Sequence, residues 1–190
     1  LDWLSSMFGS SAVLLGIILG LMMCFDLGGP VNKAAYLFAT AGLSTGDESS
    51  MQIMAAVMAS GMVAPIALSL ATFIRKSLFT PAEQENGKSA WLLGLSFVSE
   101  GAIPFAAADP FRVIPSMMAG GAVTGAVSMA LSVGSRAPHG GVFVLFAIDP
   151  FWGYLVAIAA GVVVSTAAVL AMKQFWPNKA VEEAAQNVAA

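Results

Sequence analysis

Ser89-Ala-Trp-Leu-Leu-Gly-Leu-Ser-Phe-Val-Ser-Glu100-Gly-Ala-Ile-Pro-Phe-Ala-Ala-Ala108 is a run of about membrane depth that carries a single charge, Glu100. A carboxylate at the bilayer centre costs roughly 2.5–3.5 kcal/mol on insertion scales, and such groups face a bundle interior or a water-filled cavity. Gly101 follows directly and Pro104 comes soon after, so the backbone is expected to leave the helix there. A charge beside broken backbone at membrane depth is how carriers build a site for a polar solute. Whether this run crosses the bilayer or turns back inside it decides the fold.

The rest of the chain puts that run in lipid. Of 190 residues, 58% are hydrophobic and 10% charged, against about 25% charged in soluble domains. The reading is an all-α integral membrane protein. A net charge of −3 gives no sign of nucleic-acid binding. Asp47-Glu48, Glu83/Glu85 and Glu182-Glu183 read as solvated loops and a tail. No metal-ligand cluster, cofactor motif or disulfide framework is present in the sequence; Cys24 reads as a small buried apolar residue. The start, Leu1-Asp-Trp, has neither an initiator Met nor a basic n-region, so the chain is expected to be a portion of a larger membrane protein.

Four apolar stretches are candidate transmembrane helices: 7–25, 51–74, 113–135 and 151–172. Residues 34–43 are apolar but too short to cross, and Thr80–Lys88 reads as an ordinary polar loop. The Lys and Arg count arbitrates the 89–108 run. If it crosses, Arg75, Lys76, Lys88 and Arg136 oppose Lys33, Arg112, Lys173 and Lys179, with no bias. If it dips in and returns, Arg75, Lys76, Lys88, Arg112, Lys173 and Lys179 share one side and leave Lys33 and Arg136 opposite. The second arrangement obeys the positive-inside rule and puts the 75–88 loop and the C-terminus in the cytoplasm. About four transmembrane helices plus one or two re-entrant hairpins are therefore expected, with residues 1–175 membrane-embedded and 176–190 a polar cytoplasmic tail.

A faint repeat points the same way. Glu100-Gly-Ala-Ile-Pro-Phe leads to Asp109-Pro-Phe111, and His139-Gly-Gly-Val-Phe leads to Asp149-Pro-Phe151. Each couples a polar residue and glycine to a short apolar stretch ended by Asp-Pro. Residues 139–149 are thus a candidate second dip, with Asp109 and Asp149 as helix caps.

Glu100 is the leading candidate to bind a sugar or an ion, because each carboxylate oxygen accepts hydrogen bonds from neighbouring hydroxyls. The competing assignment is a structural partner for Arg112 or Arg136. His139, the sole histidine, sits in irregular glycine-rich backbone suited to lining a cavity, although lone histidines are commonly just satisfied polar groups. Asp26-Leu-Gly-Gly-Pro-Val-Asn32-Lys33 is a polar break directly after a span. It lacks the phosphate-loop pattern. It serves either as a substrate-facing bend using Asn32 and Asp26, or as an interfacial turn with Lys33 snorkelling to the headgroups. The eleven Met are lipid-facing and core filler, and Trp3, Trp91, Trp152 and Trp176 are interfacial anchors.

Three of these motifs together, Phe25-Asp-Leu-Gly-Gly-Pro-Val-Asn-Lys-Ala-Ala35, Ser99-Glu-Gly-Ala-Ile-Pro-Phe-Ala-Ala-Ala-Asp-Pro110 and Ala137-Pro-His-Gly-Gly-Val-Phe143, resemble the membrane-embedded IIC component of fructose-family sugar phosphotransferase systems. The resemblance covers most of 7–175 and suggests the C-terminal, substrate-binding part of a IIC domain of the glucose superfamily, with N-terminal helices missing. It implies a bacterial inner-membrane permease that binds fructose and translocates it as a soluble IIB domain phosphorylates it from a phosphocysteine. It further implies a homodimer in the full-length protein. Under it, Glu100 and His139 bind the sugar with Asn32, Gly101 and Asp26, and Glu100 is the candidate general base. Cys24 does not match the IIB phosphocysteine. Two other classes compete: an ion-coupled secondary transporter in which Glu100 carries a proton or sodium, and a structural fragment with no activity of its own.

Overall fold

The structure, a computed structural model, describes residues 11–176. Trp3, residues 7–10 of the first expected span, Lys179 and the 177–190 part of the polar tail lie outside the described residues. In chain order the elements are helices α1 (Ala12–Phe25), α2 (Pro30–Leu43) and α3 (Glu48–Ile74), a 3-10 turn at Lys76–Leu78, α4 (Pro81–Leu95), a 3-10 turn at Ser99–Ala102, α5 (Ile103–Ala108), α6 (Pro110–Ala130), strand β1 (Gly134–Ser135), a 3-10 segment at Gly141–Ala147, strand β2 (Ile148–Asp149) and α7 (Phe151–Phe175). The protein is a helical membrane protein. Among the described residues, α3, α6 and α7 are long and apolar enough to cross a bilayer, and α1 is a shorter apolar helix.

Helix α3 is the central pillar. It is apolar on every side, and most of its residues from Ser50 to Thr72 are buried, as expected for a helix surrounded by others. Around it, α1, α6 and α7 close up through small residues spaced four apart. Gly16 and Gly20 of α1 face Gly125 and Gly121 of α6, and a Cβ at Gly20 would run into the Gly121 carbonyl. On the other side of α6, Gly120 and Thr124 meet Gly161 and Ser165 of α7 in the same way. Without a hydrophobic force between helices in lipid, such close approach is what packs them. Hydroxyls tie the seams: Ser60 donates to the Gly121 carbonyl at 3.3 Å, Ser165 to Ser116 at 3.1 Å and Thr166 to Ala67 at 3.3 Å. Large apolar side chains left outside, among them Val13, Phe73, Leu155, Val156 and Val163, face outward from the bundle.

The segment read as an ordinary polar loop is helical from Pro81. Thr80 and Glu83 form a capping box, the Thr80 hydroxyl accepting from the Glu83 N–H and the Glu83 carboxylate accepting from the Thr80 N–H at 2.8 Å. This S/T-x-x-E pattern is a helix-start signal that outweighs the polar composition. Glu83, expected in solvent, is 2% exposed. Neither α4, about 22 Å long, nor α5, about 9 Å, matches the roughly 30 Å hydrocarbon core. Between them the chain turns at Phe97, with φ +65°.

The expected span 113–135 stops at Ala130, because Ser132 takes a left-handed φ of +51° and the chain enters the β1–β2 pair. Gly134 pairs with Asp149 and Ser135 with Ile148, so 136–147 is a closed excursion with a pinched base. Asp109 and Asp149 do not cap through their side chains: α6 has no side-chain cap, and Pro150 precedes α7.

Candidate functional site

The broken backbone before α2 fixes the first wall of a cavity. Pro30 opens the helix, and the Asp26 carboxylate accepts the N–H groups of Val31 at 2.7 Å and Asn32 at 2.9 Å. Asp26 thus fills the role of a helix N-cap acceptor. The Asn32 amide donates to the Met23 carbonyl at 2.7 Å, which stitches α2 to α1. Asn32, Lys33 and Tyr36 then fall on one face of α2.

The second wall is the turn after α4. The Ser99 hydroxyl donates to the Gly61 carbonyl at 2.8 Å, pinning the turn to α3. Gly28, with φ +108°, lies so close to Glu100 that a Cβ there would sit 2.7 Å from Oε1. Glycine is needed at this position both for its dihedral and for its size. The third wall is the excursion 136–147. At Gly141, with φ +59°, a Cβ would collide with the Leu95 carbonyl, so the His-Gly-Gly run packs directly on the end of α4. That contact sets the His139 ring 5.0 Å from the Phe97 ring and 6.4 Å from Tyr36.

Together these walls enclose a cavity of about 180 Å³ lined by Asn32, Lys33, Tyr36, Phe97, Ser99, Glu100 and His139. Drug-sized pockets run roughly 300–1,000 Å³, so this one suits a smaller solute. Glu100 and His139 are exposed, and the Glu100 carboxylate has no hydrogen bond or ion pair among the described residues. The carboxylate therefore stands open to the cavity without a protein partner.

Of the five residues singled out in the sequence, the cavity brings together Glu100, His139 and Asn32. Gly101 stands behind it, where a Cβ would press on Leu93 and Pro65 at 3.1–3.2 Å. Asp26 lies outside the lining, its carboxylate occupied by α2. Sequence reasoning did not single out Tyr36, Phe97, Ser99 or Gly28, and it named Lys33 only in one of two alternatives, as snorkelling to the headgroups. Tyr36 could have been found from its i+4 spacing to Asn32. Phe97 carried a weaker signal, an aromatic between two serines just before Glu100.

A second group of charges sits apart. Lys173 of α7 donates to Glu83 at 3.0 Å and stands 3.1 Å from Asp109 Oδ2, a pairing that meets the distance but not the angle of a hydrogen bond. Arg112 donates to Asp109 Oδ1 at 2.8 Å and to the Trp176 carbonyl at 2.7 Å. The Lys173, Glu83 and Asp109 side chains are 1–3% exposed. Phe79 lies against the Lys173 ammonium at 4.6 Å, and Trp176 against the Arg112 guanidinium at 4.7 Å. Arg112 is thus bound to Asp109, and the role of structural partner to Glu100 is not its own. One ammonium meets carboxylates from both ends of the Glu83–Asp109 segment.

Apolar helices of spanning length, with a small cavity beside broken backbone, describe a helical membrane protein. Over 175 residues the chain is 55% identical to the fructose-specific EIIB'BC component of a phosphotransferase system from Escherichia coli K12, covering 90% of this chain and 31% of that protein. It is 48% identical over 187 residues to the fructose-specific EIIC component of Haloferax volcanii, covering 98% and 48%. It is 45% identical over 169 residues to the fructose permease IIC component of Bacillus amyloliquefaciens, covering 89% and 54%. The chain thus spans from about a third to about half the length of these relatives. No protein-family model matches it, and no solved structure does. Over 89–98% of its length the chain is thus similar to fructose-family IIC components of phosphotransferase systems.

Proposed function

We propose that this chain is the sugar-handling part of a fructose permease whose transport is coupled to phosphorylation by a IIB domain. The observation that carries the reading is the convergence of Glu100, His139 and Asn32 from three separate segments on one small cavity, with the carboxylate unpaired. Glu100 accepts hydrogen bonds from neighbouring sugar hydroxyls, and Asn32 and His139 supply further polar contacts. Gly101 positions the Glu100 turn by close packing, and Asp26 positions Asn32 by holding the start of α2. When the phosphoryl group transfers, the S–P bond of the IIB phosphocysteine breaks with its electron pair returning to sulfur. The sugar oxygen forms the new O–P bond, and its proton passes to the Glu100 carboxylate.

The Glu83–Asp109 segment is a re-entrant hairpin that enters from the cytoplasmic side of the inner membrane and returns to it. Limbs too short to cross, and ends that meet at Lys173, support this. It leaves the C-terminus cytoplasmic and gives the site access to IIB. The fused names of the EIIB'BC relatives support IIB as the partner. The rest of the permease, N-terminal helices included, completes the translocation path and a homodimer.

The test uses the full-length protein with its IIB in membranes: binding of labelled fructose without phosphoryl donor, then phosphorylation with it. Fructose binding lost in Glu100→Gln and weakened in His139→Ala is the expected result. Wild-type phosphorylation by Glu100→Gln, or uptake that persists without phosphoryl donor, counts against the reading. Cysteines at Lys88 and Phe111 are expected to label from the same side; opposite sides would remove the hairpin.

A further inference from the structure

Lys33 supplies the one cationic side chain in the cavity lining, and sugar binding leaves it unused. It is exposed, and it makes no ion pair among the described residues. Its backbone is held firmly: its N–H donates to the Gly29 carbonyl at 3.0 Å, and the preceding two N–H groups are taken by Asp26. A fixed backbone thus carries a free ammonium on a flexible stem, beside an unpaired carboxylate in a space of about 180 Å³. Such an arrangement is poor for stability and useful for a ligand that brings negative charge with it.

We propose that Lys33 is the phosphoryl-binding residue of this cavity, holding the oxygens of the phosphoryl group as it passes to the sugar and retaining the phosphate of the product. The inference rests on the phosphorylating permease described above and assigns it a residue. A phosphoryl group in transfer spreads negative charge over its three outer oxygens, and catalysis of the step is mostly positioning and charge stabilisation. Glu100 alone would repel that charge. An ammonium sharing the cavity offsets the repulsion, and lysine is a common point-charge binder of phosphate. Glu100 takes the hydroxyl proton and Lys33 meets the phosphate, so opposite charges in one cavity serve the two ends of the same bond-forming step.

The experiment compares wild type, Lys33→Gln and Lys33→Arg in the full-length protein with its IIB. It measures binding of labelled fructose without donor, phosphorylation with donor, and displacement of labelled fructose by the sugar phosphate that the wild-type protein makes. Lys33→Gln is expected to lose phosphorylation by about 10²–10³-fold, the loss seen when one stabiliser of transition-state charge is removed. That loss should exceed its loss of fructose binding at least tenfold, and displacement by the sugar phosphate should weaken at least tenfold. Lys33→Arg keeps the charge and should restore much of both. Wild-type phosphorylation in Lys33→Gln, equal losses in binding and turnover, or unchanged displacement by product would each overturn the assignment. A wild-type protein that binds no fructose would instead bring down the permease reading, an outcome visible without any variant.

Discussion

Lys173 and Lys33 are both lysines on helices flanking broken backbone, yet their surroundings are opposite. Lys173 is 1% exposed, bridges Glu83 and Asp109 and lies under an aromatic ring. Lys33 is exposed and has no ion-pair partner among the described residues. The same contrast separates Glu83, boxed into the start of α4 and paired with Lys173, from Glu100, open to a cavity. Buried charges are tolerated where they are paired and hydrogen-bonded. The pairing at Lys173 is therefore architecture, and it ties α4, α6 and α7 together at one end. Charges left unpaired around a cavity gain nothing for the fold; in the proposed function a ligand supplies the missing partner.

The largest expected effect lies on the open side of that contrast. Glu100→Gln is expected to lower phosphorylation by about 10²–10⁴-fold, the usual contribution of a positioned general base. Its unfolding free energy in detergent should change by no more than about 0.5 kcal/mol, as for exposed positions away from structural features. A large loss of stability would place Glu100 with the architectural charges and dissolve the distinction.

On the closed side, Lys173→Met is expected to cost about 3–5 kcal/mol, because it leaves the buried Glu83 carboxylate without its ion-pair partner and Asp109 with Arg112 alone. Removing Glu83 as well, in Lys173→Met with Glu83→Gln, should recover part of this, with a coupling of about 0.5–3 kcal/mol. Denaturation of both variants in detergent measures it. Additive losses would mean that the bridge contributes nothing as a pair.

Gly28→Ala probes the seam between the two kinds of region. At φ +108° an alanine is strained by about 1–3 kcal/mol, and its methyl would lie against the Glu100 carboxylate. Fructose binding should weaken about tenfold or more, as the carboxylate is pushed from its place, while helix content by circular dichroism stays unchanged. Wild-type binding in this variant would mean that Glu100 has freedom to move.

The open charges were more legible in the sequence than the closed ones. Glu100 announced itself as a lone carboxylate in an apolar run, and His139-Gly-Gly and Asp26-Leu-Gly-Gly-Pro as polar breaks. These are local signals, readable within a few residues. The Lys173 bridge was not legible, because its members stand 26 to 90 positions apart and each alone resembles a solvated charge. Glu83 illustrates the failure: its polar neighbours argued for a loop, while the capping-box spacing from Thr80 argued for a buried helix start. The Lys and Arg count read the same region collectively and put Lys88, Arg112 and Lys173 on one side. The bridge joins Glu83, Asp109, Arg112 and Lys173 at one place in the fold. The aromatic wall of Phe97 and Tyr36 was hidden because it depends on a left-handed turn at Phe97 that no residue type there requires.

Asp47 supplies a third case and the smallest expected effect. It is fully exposed, yet its carboxylate is not free: it accepts from the Thr45 hydroxyl, from the Ser50 hydroxyl at 2.8 Å and from the Ser50 N–H at 3.2 Å, capping α3. These hydrogen bonds, that of Thr45 foremost, lower its pKa from 3.8 to about 2. A depressed carboxyl pKa adds stability that is fully present above the unfolded value and is lost as pH falls through the folded one. The start of α3 should therefore hold its protection at pH 5 and fray between about pH 4 and pH 2. Hydrogen exchange at the Ser50 amide reads this directly. Asp47→Asn keeps a capping oxygen and should lose the pH step while retaining protection, whereas Asp47→Ala should be frayed at every pH. A step that persists in Asp47→Asn would assign the titration to another group, with Glu48 the next acid along the chain. The outcome sharpens the contrast between the two lysines, because it separates exposure from availability: a charge in water that is satisfied by its own helix end is no more ready for a ligand than one buried in a bridge.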